Sequence, residues 1–393
     1  MVEQPNFDEI IDRVGTRSGK WDELPALYNL DPKDGIAMWV ADMDFRPPQA
    51  VRDVLQQMVD HGIYGYYASK KDYHQSIIDW QQRHHGWTVD PSWIFEAHGL
   101  VNGTALCIDA YTQPGDGIIM FTPIYHAFFR TIRGSGRVAV ESPLVNNNGR
   151  YEMDFDALEA SLTGNEKMVV FCSPHNPGGR VWTPEELKAL CDFCIKHDLI
   201  LVSDEIHNDL VFPGHKHTVI PHASSDITSR LVMMTAATKT FNMAGAHTGN
   251  IIIEDEKLRA RMAERITGLS ISPDSFGMNM TMAAYNGGDE WLRQLILYLD
   301  ENRKILDQRM NAIPGVQSML LEATYLAWVD FSGTGMARKE FTDRVQKTAR
   351  VAPNIGPVFG LGGDDFLRFN FALPKSRLVE AMDRIEEAFS DLQ

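Results

Sequence analysis

Short apolar runs of strand length alternate with stretches of helical periodicity from about residue 50 to about residue 285. One such run is Met168–Cys172, and the next is Leu199–Val202. Between them, Thr183 is suited to be the N-cap of a helix, and Glu186 completes a capping box. This alternation predicts an α/β fold with an open, mostly parallel sheet that is sandwiched by helices.

The pattern changes after Asn286-Gly287-Gly288. A long helical stretch follows, then apolar strands near 325–331 and 366–371, and finally an amphipathic helix. We therefore predict three parts: an N-terminal arm (1–48) that packs with the small domain, a large domain (49–285) and a small α+β domain (286–393).

Composition narrows the possible partners. The formal net charge is −16, which repels phosphate backbones and makes nucleic acid an unsuitable partner. Neither a membrane-spanning apolar stretch nor a signal-peptide core is visible, so we expect a cytoplasmic protein without a membrane partner. Cys191 and Cys194 form an isolated CxxC, which favours one face of a buried helix over a metal or redox site, and we predict no metal.

Polar residues follow four predicted strands at the edge where ligands bind in such sheets. Each type alone is common, because an aspartate after a strand usually caps a turn and a loop lysine is usually solvated. Together, an aromatic ring, an amide, a carboxylate and a lysine are the groups that pyridoxal 5′-phosphate (PLP) requires. The residues concerned are Tyr125, Asn176, Asp204, His207, Thr238 and Lys239.

Three segments resemble the fold-type I PLP enzymes of the aminotransferase class I/II group. They are Ser173–Arg180, Asp204–His207 and Thr238–Asn242. Met38–Phe45, together with the Asp-Glu-Ile-His run at Asp204–His207, resembles one branch, the MalY/PatB-type cystathionine β-lyases, which are C–S lyases. The likeness extends from about Trp39 to Arg368 and implies a large PLP-binding domain and a smaller domain.

The resemblance implies a role for each residue around the cofactor ring. Lys239 is the catalytic lysine that forms the Schiff base with PLP, and Asp204 pairs with the ring nitrogen. Asn176 donates to the phenolic oxygen, and His207 lies where a second donor is usual. Tyr125 stacks on the ring.

The resemblance also implies how the phosphate is held. The backbone N–H groups of Leu100, Val101 and Asn102 would bind it with the Thr238 hydroxyl. Tyr66 would reach the phosphate of the neighbouring subunit, so a homodimer with active sites at the subunit interface is implied.

For the amino-acid substrate, the resemblance assigns Arg368 as the clamp on the α-carboxylate, with Val40, Ala41 and Asn176 beside it. Alternation in the strand near Arg368 predicts an exposed face for this arginine, which alone would also suit a surface position. Loops around 15–45 and 350–362 are expected to set specificity, and the glycine-rich segment 359–363 could be a flap or a tight turn.

Two departures from many aminotransferases bear on the reaction. Ala236 replaces a serine, and His247 replaces an arginine that binds the phosphate. A weaker hold on the phosphate favours a β-lyase over an aminotransferase, which must retain a cofactor form with no covalent bond to the protein. Whether His247 compensates is open. A binding or regulatory protein that keeps the PLP fold is a third hypothesis.

Overall fold

The computed structural model describes residues 4–272 and 274–392. The helices are α1 (Leu24–Tyr28), α2 (Gln49–His61), α3 (Lys71–Trp80), α4 (Leu100–Tyr111), α5 (Ala127–Gly134), α6 (Phe155–Ser161), α7 (Pro184–Lys196), α8 (Ile220–Ala223), α9 (Ala237–Thr240), α10 (Glu256–Gly268), α11 (Ser275–Gly287), α12 (Asp289–Asn311), α13 (Arg338–Asp343) and α14 (Lys375–Ala388). The helix predicted after Thr183, the long helical stretch after residue 288 and the C-terminal helix are present as α7, α12 and α14.

In the ranges that the structure describes, the strands form two main sheets and two small two-stranded ones. They are β1 (Ile36–Ala37), β2 (Ile94–Ala97), β3 (Gly117–Thr122), β4 (Val138–Pro143), β5 (Val145–Asn147), β6 (Arg150–Glu152), β7 (Glu166–Cys172), β8 (Ile200–Asp204), β9 (Leu231–Thr235), β10 (Gly249–Ile252), β11 (Gln317–Ser318), β12 (Leu326–Asp330), β13 (Val351–Ala352), β14 (Asn354–Ile355) and β15 (Phe366–Asn370).

The larger sheet has seven strands in the order β2-β10-β9-β8-β7-β3-β4. β10 runs antiparallel to both of its neighbours, and the other pairs are parallel, so the predicted mostly parallel sheet is confirmed. β7 and β8 correspond to the two predicted apolar runs. The capping box between Thr183 and Glu186 is present at the start of α7, because each side chain bonds the other residue's backbone N–H.

The second main sheet is antiparallel, in the order β11-β12-β15-β14, and lies in the C-terminal part of the chain with α12 and α14. Within the predicted arm, β1 pairs with β13, and Phe7 packs edge-on against Trp291. Residues 1–3 of that arm lie outside the described residues. The division at residues 48 and 285 stays a prediction, and α11 continues through residue 287.

Cys191 and Cys194 are both buried on α7 within the main apolar core. This agrees with the predicted position on one face of a buried helix. Among the helices of the described ranges, each is too short or too polar to cross a lipid bilayer. The core therefore consists of ordinary globular packing around the seven-stranded sheet, and the chemistry must be sought at the edge of that sheet.

Candidate active site

A cavity of about 750 Å³ lies beyond the carboxyl ends of the parallel strands. β7, β8 and β9 each end here, so the side chains that follow them meet around one space. Most of the residues that the sequence singled out line this cavity. They are Ala41, Leu100, Val101, Asn102, Tyr125, Asn176, Asp204, His207, Thr238, Lys239 and His247.

Lys239 lies on the single turn of α9, directly after β9. Its Nζ donates a hydrogen bond of 2.5 Å to the carbonyl oxygen of Ala41. The pKa of this lysine is lowered to about 8, chiefly by burial; Asp42 and Asp204 oppose the fall, and the charge of Arg368 contributes to it. A substantial fraction of the amine is therefore uncharged near neutral pH, as a nucleophile or a base requires.

Asp204 is the last residue of β8 and is almost fully buried. Its Oδ1 accepts a hydrogen bond of 3.1 Å from the backbone N–H of Ile206. Burial raises the pKa of its carboxyl to about 7, and the neighbouring Glu205 adds to the rise. Since no ion pair reaches Asp204 from the described chain, its carboxylate is suited to a cationic group that enters the cavity.

Two neutral groups lie near this carboxylate. His207 is buried, and burial together with the charges of Lys239 and Arg368 lowers its pKa to about 3. Its Nδ1 is buried and has no hydrogen-bond partner in the described chain. Asn176 accepts a bond of 3.0 Å at Oδ1 from Arg368, which leaves its amide nitrogen as the donor available for another group. Both side chains can therefore donate to a ligand without changing its charge.

The prediction that Arg368 is exposed is wrong, because only 2% of its surface is accessible. β15 lies between β12 and β14, and residues distant in sequence cover the face that alternation predicted to be open. The guanidinium donates to Asn176 Oδ1, to the Trp39 carbonyl at 2.8 Å and to Asn354 Oδ1 at 2.6 Å. Burial lowers its pKa to about 10.

Arg368 does not itself line the cavity but lies in contact with Asn176, which does. Its three acceptors are uncharged, and its Nε is buried without a hydrogen-bond partner in the described chain. A buried cation that is solvated only by neutral oxygens gains much from a carboxylate, so this arrangement suits a carboxylate ligand.

The Trp39–Phe45 segment is fixed through its carbonyl oxygens. Ala41 O accepts bonds from Lys239 and, at 2.9 Å, from the Tyr325 hydroxyl. Val40 O and Asp42 O each accept a bond of 2.6 Å from Asn370 Nδ2. Ala41 lines the cavity, whereas Val40 is held beside it without lining it. The segment thus connects the lysine to the strand that carries Arg368.

The start of α4 forms another part of the cavity wall. Gly99 precedes the helix with φ of 77°, a conformation that favours glycine. Leu100, Val101 and Asn102 follow, and their backbone N–H groups have no partner earlier in the helix, so this helix start is suited to an anion. His247, which is exposed, contributes its side chain to the same cavity.

Some outcomes depart from the sequence reasoning. Tyr66 is fully exposed and lies outside the cavity of its own chain, so its predicted contact with a neighbouring subunit stays a prediction. The cavity also contains Arg130, His98 and Cys172, which the sequence reasoning missed as site residues. Arg130 lies five residues after Tyr125, and because a separation of five does not place two residues on one face of a helix, spacing alone does not identify it.

The glycine-rich segment 359–363 forms a turn that is hydrogen-bonded to residues in β4 and just after β3 of the larger sheet. Ile124 N donates to Phe359 O at 2.8 Å, and Leu361 N donates to Glu141 Oε2 at 2.8 Å. Gly360 has φ of 95°, and a Cβ there would lie 2.6 Å from the Phe129 ring. The Phe359 ring packs under the Arg368 guanidinium at 4.9 Å, so the turn supports the site.

Known proteins are similar to this chain in both sequence and fold. Cystathionine beta-lyase PatB of Bacillus subtilis is 36% identical over 388 residues, which is 98% of this chain and all of PatB. Cystalysin of Treponema denticola, whose crystal structure contains pyridoxal 5′-phosphate, superposes with a TM-score of 0.95 at 33% identity and covers all of both chains. A PLP-bound putative aminotransferase of Clostridium difficile superposes at 0.94 with 35% identity, covering 98% of this chain and all of its own.

The family described as aminotransferase class I and II matches residues 33–385. These bounds include every cavity residue named above, from Ala41 to His247, and also the strand that carries Arg368. The match and the similarity to PatB along nearly the whole length agree with the fold and with the resemblance seen in the sequence. The chain belongs to the aminotransferase class I and II family.

Proposed function

We propose that the protein is a PLP-dependent carbon–sulfur β-lyase that converts an L-cysteine S-conjugate to a thiol, pyruvate and ammonia. The observation that carries the proposal is the single cavity into which Lys239, Asp204 and Asn176 converge. The likeness to Cystathionine beta-lyase PatB over the full length supports this reaction in particular.

The cavity fits PLP by the chemistry of its donors and charges. Asp204 is a buried carboxylate without a cationic partner in the described chain, which suits a protonated ring nitrogen. Asn176 and His207 offer neutral donors for a phenolic oxygen, and the start of α4 with Thr238 suits a phosphate. When bound, PLP supplies an aldehyde for an amine and a ring that accepts electron density from Cα.

Lys239 is the residue that we assign to covalent and proton-transfer chemistry. With a pKa of about 8, roughly a tenth of its amines are neutral at pH 7, whereas an ordinary lysine with a pKa of 10.5 has only about 0.03% neutral amine. The free amine can accept the proton from the substrate Cα, and the resulting ammonium can return a proton to a leaving thiolate. Lys239 is thus suited to both proton transfers.

Arg368 is assigned to the α-carboxylate of the substrate. Its guanidinium already holds Asn176, so carboxylate binding would be coupled to the orientation of the amide that serves the cofactor. Fixing the carboxylate also fixes the direction of the Cα–H bond, which must face Lys239 for proton transfer. The contact therefore serves orientation as well as affinity.

We further propose a homodimer in which Tyr66 completes the active site of the other subunit. Val59, Ile63, Tyr64 and Tyr66 are all exposed, by 57% or more of their surfaces, at the end of α2 and in the segment after it. An apolar surface of this kind is costly in a monomer and is typical of an interface. A second copy of the chain would cover it.

The assay uses purified holoenzyme with cystathionine and no oxo acid. A lyase releases pyruvate, homocysteine and ammonia under these conditions, and the Lys239→Arg variant does not. If the amino acid is consumed only after 2-oxoglutarate or pyruvate is added, the lyase proposal is wrong and the protein is an aminotransferase. If the protein neither takes up PLP nor turns over any amino acid, the hypothesis of a binding protein replaces both.

A further inference from the structure

Arg130 lies on α5 and lines the active-site cavity with an exposed side chain. It makes no hydrogen bond or ion pair within the ranges that the structure describes. Arg133, one turn later on the same helix, differs: its guanidinium packs over the Phe129 ring at 5.1 Å and lies 3.9 Å from Glu141. Arg133 lies outside the cavity. Of these two arginines, Arg130 is therefore the one whose charge is available to a ligand in the cavity.

Two cations thus serve this site, a buried one behind the cavity lining and an exposed one in the lining. Arg368 is buried behind Asn176, whereas Arg130 is exposed. Both act on the Tyr125–His126 pair: burial raises the pKa of Tyr125, and the two guanidiniums oppose that rise. Burial lowers the pKa of His126 to about 4, and the same two charges add to the fall. Both guanidiniums are therefore within electrostatic reach of Tyr125, which we assign to the ring face, and of its neighbour His126.

We propose that Arg130 is a specificity-determining residue that binds an anionic group, a carboxylate, at the far end of the substrate's S-substituent. The inference rests on the proposed function, in which Arg368 binds the α-carboxylate. A conjugate that carries a second carboxylate beyond the sulfur can then be held at both ends, and one with a neutral alkyl group only at one. The preferred substrate class is L-cysteine S-conjugates with an acidic distal arm.

The position of Arg130 on α5 and its exposure to solvent favour a substrate group over the cofactor phosphate as its partner. The N-terminus of α4 and Thr238 already offer backbone N–H groups and a hydroxyl that would hold the phosphate. Arg130 is on α5, five residues after Tyr125, and it lines the cavity while it remains exposed to solvent. The hydroxyl-bearing residues Thr131 and Ser135, on α5 and at its C-terminal end, also line the cavity. A distal carboxylate would therefore find one charge and a polar surface here.

The test compares two conjugates of nearly equal length, S-(2-carboxyethyl)-L-cysteine and S-propyl-L-cysteine. Binding is measured from the absorbance change of the holoenzyme and kcat/KM from pyruvate release. The Arg130→Gln variant should lose about 10-fold in affinity and in kcat/KM for the carboxyethyl conjugate, since one charge-assisted bond at a partly exposed site is lost. The propyl conjugate should change less than about 2-fold, and Arg130→Lys should retain part of the selectivity.

Arg133→Gln is the matched control, because it removes the same charge from the same helix outside the cavity, and it should leave both conjugates unchanged. An equal loss for both conjugates in Arg130→Gln, or a loss of PLP affinity in a titration of the apoprotein, would overturn the proposal and assign Arg130 to the cofactor. Failure of the proposed function is distinguishable. Binding selectivity that depends on Arg130, without any pyruvate release, would reject the lyase reaction and keep the distal carboxylate.

Discussion

Asp204→Asn should stabilise the apoprotein while it impairs the holoenzyme. The ordinary carboxyl pKa of 3.8 rises to about 7 in the folded chain, chiefly through burial. The folded state therefore binds the proton more tightly than the unfolded state, so the stability contributed at this site is complete below about pH 4 and is lost as the pH rises to about 7. Asparagine has nearly the same shape and cannot ionise, so the variant avoids the free-energy cost of a buried carboxylate at higher pH.

The magnitude follows from the two pKa values. At about 1.36 kcal/mol per pKa unit, the ionised carboxyl costs about 2 kcal/mol at pH 5.5 and about 4 kcal/mol at pH 8.5. The gain in unfolding free energy from Asp204→Asn should therefore be about 2 kcal/mol larger at the higher pH. With PLP bound, the variant would lack the carboxylate that we assign to the protonated ring nitrogen, and turnover should fall by on the order of 100-fold.

Urea unfolding of the apoprotein at both pH values, at one fixed protein concentration, measures the first effect. Asp209→Asn is the matched control. That carboxyl is also buried, but His85 and Thr240 hydrogen-bond it, and together with the charge of His85 they lower its pKa despite burial. Asp209→Asn should therefore destabilise the apoprotein. A gain for Asp204→Asn that is the same at pH 5.5 and pH 8.5, or a net loss at pH 8.5, would refute the reasoning.

Three further outcomes are expected. Lys239→Arg should fold normally by circular dichroism but develop no yellow colour with PLP, since a guanidinium does not form the Schiff base; a yellow variant would contradict this assignment. Arg368→Gln should raise KM for amino acids by about 10-fold or more and leave the PLP affinity within about 2-fold, whereas an unchanged KM would place the carboxylate elsewhere. Tyr66→Phe mixed with Lys239→Arg should form heterodimers with one fully wild-type site, so activity should exceed that of either parent; no recovery would argue against a shared site.

The sequence predicted the residues whose position depends on local order along the chain. Asn176, Asp204 and Lys239 each follow an apolar run, and parallel strands align their carboxyl ends at one edge. Thr183 and Glu186 likewise mark the start of α7 within three residues of each other. Such signals need no knowledge of which distant segments cover the sheet.

The environment of Arg368 could not be predicted in the same way. Strand alternation shows which side chains share a face, but not whether another segment packs on that face. Here the covering group is the Trp39 carbonyl, 329 residues away in the chain, and Asn354 is the next acceptor. Arg130 was missed for a related reason, because helical periodicity does not tell which exposed position faces a cavity between α4 and α5. The role predicted for Tyr66 involves a second chain, which the pattern of a single chain does not show.

The link between Arg368 and Lys239 has a consequence for catalysis. Both cations are held by backbone oxygens of one short segment, Arg368 at Trp39 and Lys239 at Ala41, and the charge of Arg368 helps to lower the pKa of Lys239. A substrate α-carboxylate that pairs with Arg368 would cancel much of that effect. The pKa of the Lys239 amine would then rise as substrate binds, so the amine would become a stronger base for the Cα proton only when a substrate is in position.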